Sequence, residues 1–272
     1  MVYPLFVRPV QQHVDERQQA QAAYAQKLAA ATALFKERCK TAGETIKRTV
    51  QNVDGVVWMK WRSFDVSDVY DQFKLFDPFG RDCWAEGCIE QLLILPKQNG
   101  RFEEEFKQRK GRFSFVESVD PSNGVKYRYV GSMKLSPSWT EEGVAKHKRD
   151  TGQDVPDYAY LFSIKATPID RFTARYGITW DDISTREDRE HWIAGGSLKV
   201  IDLKTNEVIA ERVGYMMDRG LGGRGGHRQP WAFAEQYACP EFQKIGPSDE
   251  RRSRGAEGRF FVVRVLNSTG SN

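Results

Sequence analysis

No run of about 18 apolar residues, the length a helix needs to cross a bilayer, occurs anywhere in this sequence. Cysteine and histidine are scarce, with four of each. Cys39, Cys83, Cys88 and Cys239 form no C-x-x-C, and His13, His147, His191 and His227 stand at no ligand spacing, which argues against a structural zinc site. Excess charge of one sign is small, a formal net +4 over 272 residues. The basic clusters at 107–112, 146–149 and 251–254 are flanked by acids, so they read as solvated faces, and no nucleic-acid partner is expected. There is no fixed-period repeat, which argues against solenoids and propellers.

What is present suits a globular core: 40% of residues are hydrophobic and 12% aromatic. The most informative stretch runs from Ser197 to Trp231. Its first half places two β-branched runs either side of a Lys204–Glu207 turn, a β-hairpin pattern. Its second half holds five glycines between Gly220 and Gly226, interleaved with Arg219, Arg224, His227 and Arg228. Ordering such a backbone costs on the order of 1–2 kcal/mol per residue, so the loop is expected to be mobile and to adapt to a partner. The alternative is a solvated connector.

Upstream, Tyr24, Leu28, Ala31, Phe35 and Cys39 recur at helical spacing, predicting a helix over 11–42 that ends before Gly43. Before Tyr24 the apolar stripe fades, so that part is expected to project from the body. Residues 1–10 read as the stub of a signal or membrane anchor, or as a frayed terminus. Thr45–Val50 and Val56–Arg62 read as a hairpin around Asp54-Gly55, and 112–119 with 125–135 as a second. Ile89–Leu95 is too short to assign. Thr140–Gly152 reads as a surface loop or short helix, 158–167 as a strand, and Ser184 or Thr185 as the cap of a short helix. Arg259–Leu266 reads as a terminal strand. Hairpins in series predict an α+β fold, an antiparallel sheet with the long helix packed on it. The 43–272 domain is read as one unit or as two packed halves dividing near 136–157.

No motif supplies a cofactor or a catalytic site. Gly220-x-Gly222-x-x-Gly225 matches a dinucleotide fingerprint in letters, but it follows a hairpin strand and precedes Pro230 instead of opening a βαβ helix. Cys239 and His227 are near enough in sequence to be weighed as a nucleophile and base, yet Cys239-Pro240 suits a structural disulfide better. The Cys83–Cys88 loop contains Gly87, which would let its sulfurs meet. Cys39 would then pair with Cys239 and tie the helix to the segment after the glycine loop. The other reading is four reduced thiols acting as small hydrophobes.

Two segments, Phe35–Val56 and Leu198–Asp218, resemble bacterial envelope proteins with an N-terminal signal or anchor. That group is associated with loci for type VI secretion lipase effectors, where its members act as immunity proteins. This chain departs from the pattern at its start, where a complete signal is missing. The resemblance implies a non-enzymatic periplasmic or envelope protein that neutralises a cognate toxin by direct binding. Arg219, Arg224, His227, Arg228 and Trp231 are the candidate partner-binding residues. The alternatives are a cytoplasmic location and a hydrolase whose site is assembled from residues distant in sequence.

Overall fold

The β-branched runs assemble into one nine-stranded mixed sheet with helices on both faces, so the α+β class holds. The structure, a computed structural model, describes residues 7–63, 65–79, 86–93, 113–153, 155, 159–241 and 257–268. Helix α1 (Val7–Cys39) leads into strands β1 (Gly43–Ile46), β2 (Val50–Val53) and β3 (Gly55–Trp58). A 3₁₀ turn (Val66–Tyr70), α2 (Glu86–Leu93), β4 (Phe115–Val119), β5 (Lys126–Leu135), α3 (Glu141–Thr151), β6 (Tyr160–Pro168) and β7 (Tyr176–Asp182) follow. The chain continues with α4 (Arg186–Glu190), β8 (Ile193–Asp202), β9 (Glu207–Met217), α5 (Pro230–Ala234), β10 (Ala238–Cys239), α6 (Glu257–Val265) and β11 (Leu266–Ser268). In space the strands run β1-β9-β8-β7-β3-β4-β5-β6, with β10 also on β9. The connection through α3 joins β5 to β6, neighbours in that sheet.

The hairpins β8–β9 and β4–β5 form where the turn residues place them. Alternation then sorts the β8–β9 side chains. Ala194, Leu198, Val200 and Met216 are buried in the core clusters that α2, α5 and α6 complete. Ile193, Tyr215 and Met217 pack instead with Leu28, Ala31, Leu34 and Phe35 of α1. Farther along the strands, Lys199 pairs with Asp181 at 3.0 Å, and the Ser197 hydroxyl donates to Glu211, a solvated ladder of alternating sign. The residues of α1 from Val14 to Ala23 are all exposed, in keeping with the expectation for the part before Tyr24. Among the described residues no helix is long and apolar enough to cross a membrane. Residues 1–6 of the expected stub lie outside the described residues.

Two expectations need correction. The hairpin around Asp54-Gly55 does not exist: β3 is inserted in the middle of the sheet, parallel to both β4 and β7. All four of its residues are buried, which is why Gly55-Val-Val-Trp58 shows no alternation. Gly55 is required by close approach, since a Cβ there would sit 2.3 Å from the Phe115 ring. β1 pairs with β9 instead, and β2 forms a small parallel sheet with β11. Residues 259–265 are helical, not a strand, because Phe260, Phe261, Val262, Val263 and Val265 are buried around most of the helix circumference. The run from Ile89 resolves as part of α2.

Buried carboxylates brace the loops between strands. Asp202 is fully buried and accepts from Arg175 at 2.8 Å, from Arg48 at 2.7 Å and from the Lys204 amide. Arg175, helped by Arg48 and that amide, holds its carboxyl well below the usual carboxylate range despite burial. Burial alone would raise Glu117, but the Ala174 amide, Arg128 and the Thr173 amide outweigh it and hold it low. Groups depressed in the folded state stabilise it fully above their unfolded values, about pH 4. That contribution disappears as pH falls through the depressed folded values. Thermal melts should therefore show a level midpoint from pH 7 to 5 and a steep fall below about pH 4. A midpoint unchanged down to pH 2.5 would contradict these two assignments.

Candidate functional site

The glycine loop begins where β9 ends, and Asp218 organises it. Its side chain is fully buried, and its amide donates to Trp192 O at 2.9 Å. One carboxylate oxygen accepts the Gly220 amide at 3.0 Å and the other the Gly222 amide at 2.8 Å. Arg228 returns from the far side of the loop and grips both oxygens, with Nη1 on Oδ2 at 2.9 Å and Nη2 on Oδ1. Nη1 also reaches Gly223 O at 3.1 Å. The Asp218 hydrogen bond raises the Arg228 pKa, so the guanidinium stays charged there. Five glycines do not leave this loop unstructured: it is wrapped around a carboxylate. Gly222 takes φ +80°, and a Cβ there would lie 2.2 Å from the Trp192 indole. Gly222→Ala should therefore cost on the order of 2–4 kcal/mol, read as a lower melting temperature. A melt like wild type would mean the loop is not seated on Trp192.

The loop is also held from outside. The Tyr24 hydroxyl of α1 donates to Arg219 O at 2.8 Å, and Arg224 Nη2 to Tyr70 O at 2.7 Å. Cys39 at the end of α1 is bonded to Cys239 in β10, with Cα atoms 5.7 Å apart, so the expected tie between helix and post-loop segment is present. Cys83, the other half of the expected Cys83–Cys88 pair, lies outside the described residues.

The sequence candidates are brought to one region but not to one role. Arg219, Arg224 and His227 are exposed. Arg228 is committed to Asp218 on one side and stacks over Phe233 at 4.9 Å on the other. Trp231 is buried and contributes to the core: it stacks on Phe76 at 6.1 Å, packs against Trp192 at 5.1 Å and donates its indole N–H to Asp71 O. Its place in the candidate set passes to aromatics that the sequence reading overlooked. Arg219 lies over Tyr237 at 4.8 Å, Arg224 over Tyr70 at 5.3 Å, and Arg186 over Phe73 at 5.9 Å. Phe73, Phe233 and Tyr237 are all exposed. Stacking of this kind contributes about 0.5–1 kcal/mol at exposed sites and fixes each guanidinium in place.

Cys239 is in a disulfide, so the Cys239–His227 pair has no thiol to offer as a nucleophile. Gly225–His227 forms one 3₁₀ turn and the next helix starts only at Pro230, so the glycines do not open a dinucleotide-binding helix. No family model, curated protein or solved structure matches this chain.

Proposed function

We propose that this chain is a non-enzymatic binding protein of the bacterial envelope, an immunity protein that neutralises a type VI secretion lipase effector by occupying a surface on it. The observation that carries the reading is the face around the glycine loop, where Arg219, Arg224, Arg228 and Arg186 are each stacked on an aromatic ring. Arginine and aromatic residues dominate the energetics of protein interfaces. Because the loop is already ordered by Asp218, a partner would not have to supply the entropy of ordering it. Exposed guanidinium forks suit a partner surface of carboxylates set among apolar groups. The Cys39–Cys239 disulfide is compatible with an oxidising compartment such as the periplasm.

The test is a binding titration against type VI secretion lipase effectors, beginning with any lipase found to be encoded beside this gene. Arg219 and Arg224 are exposed, so Arg219→Glu with Arg224→Glu should leave the melting temperature within about 2 °C of wild type. Affinity should fall about 100-fold or more. Unchanged affinity in the double variant, or no binding by the wild type, would overturn the reading.

A further inference from the structure

A second feature lies at an edge of the sheet, away from the glycine loop. The strand order ends with β6, which pairs with β5 along its whole length, Tyr160 to Pro168. Among the described residues no strand pairs with its other side. The outward N–H and C=O groups of such an edge are a template for one more strand. β1, at the opposite end of the order, has four residues, whereas β6 has nine. Alternation sorts the β6 side chains into two unlike rows. Phe162 and Ile164 are half-buried and pack against the main core. Leu161, Ser163, Lys165 and Thr167 point the other way, and Leu161 is 50% exposed there. Lys165 stands opposite Val130 and Lys134 opposite Leu161, so the two lysines share one face of the β5–β6 ladder. Both are exposed, and neither has a hydrogen-bond or ion-pair partner among the described residues. Arg128, the next cation on that face, is already paired with Glu117 at 2.8 Å. The edge is therefore basic on one face and apolar on the other.

We propose that β6 accepts an extended segment of a protein partner, one that alternates acidic with apolar residues, as a further strand of the sheet. Main-chain hydrogen bonds supply the affinity, and the two rows of side chains supply the choice of partner. Carboxylates of the segment meet Lys165, with Lys134 one strand further in adding to the field. Its apolar residues extend the core over Phe162 and Ile164. A second copy of this chain fits less well. Two β6 strands set antiparallel about their middle residue, Ile164, would place both Lys165 side chains on one face as diagonal neighbours, about 7–8 Å apart. Charges of one sign oppose that pairing, and Pro168 has no N–H to donate.

The probe is a synthetic peptide that alternates glutamate with valine over the length of β6, and the control carries lysine in place of each glutamate. Both are titrated into the full chain labelled with nitrogen-15. The glutamate peptide should bind saturably and slow amide exchange within 160–168. The lysine peptide should bind about tenfold more weakly or not at all. Lys165 is exposed, so Lys165→Glu should melt like wild type. That variant should bind the glutamate peptide about tenfold more weakly and the lysine peptide more tightly. Equal binding of the two peptides by the wild type would overturn the proposal in favour of unselective edge pairing. No binding at millimolar peptide, or new protection only outside β6, would overturn it outright. Protection of 160–168 that grows with chain concentration alone would assign the edge to a second copy instead.

Discussion

Replacing Asp218 with alanine is expected to destabilise the protein by about 3–5 kcal/mol, the usual cost of removing one partner from a buried ion pair. The geometry gives the reason. Asp218 is fully buried and accepts two amides and both terminal nitrogens of Arg228, whose side chain is 22% exposed. Without the carboxylate, the Gly220 and Gly222 amides and a partly desolvated guanidinium all lose their acceptor. Asp218→Asn separates the contributions, since it keeps an acceptor for one amide while removing the charge. It should therefore fall between wild type and alanine. The melting temperature of the alanine variant should drop by on the order of 10 °C. A drop below about 2 °C would show that the loop does not depend on Asp218, and the preordered face would lose its basis. Arg228 is left out of the binding variant because it is a structural partner of that carboxylate.

Removing the Cys39–Cys239 bridge by serine substitution at both positions should have an effect of similar size. The two cysteines are 200 residues apart in sequence, so the bond closes most of the chain into a loop. The chain-entropy model then gives about 2–5 kcal/mol of lost stability, through the greater freedom of the unfolded state. The native state should change least where α1 has other anchors. Arg38 bonds Asp188 at 2.8 Å, and Leu28, Ala31 and Phe35 pack against the sheet. The double serine variant should therefore keep its far-ultraviolet spectrum at 25 °C and melt about 10 °C lower. A melt indistinguishable from wild type would mean that packing of α1 alone carries this joint.

How much of this was legible in the sequence depended on whether a residue's role was local. The spacing of Leu28, Ala31 and Phe35 marked the inner face of α1, and Thr185 with Asp188 marked a capping box that the structure contains. The β8–β9 hairpin was legible from its turn and its β-branched flanks. β3 was not, because a strand covered on both faces carries no alternation, and Asp54-Gly55 imitates a turn. The helix at 257–265 was hidden by its valines and phenylalanines, which favour strands in isolation and are overridden by packing. The glycine loop was misjudged from composition. A signal did exist: Asp218 stands two residues before Gly220, the spacing at which a carboxylate accepts a backbone amide. Its pairing with Arg228, ten residues on, had no local signature. Nor did the stacking of Arg219 on Tyr237 or the burial of Trp231, both set by tertiary contacts.

The most direct test of the glycine-loop face is amide hydrogen exchange on the free chain and on its complex with any lipase effector that the titration identifies. In the free chain the Gly220 and Gly222 amides should already exchange slowly, because Asp218 accepts them. In the complex, new protection should gather at 219–228 and 233–237. Fast exchange of Gly220 and Gly222 in the free chain, or new protection confined to other parts of the sheet, would contradict a preordered binding face at this loop.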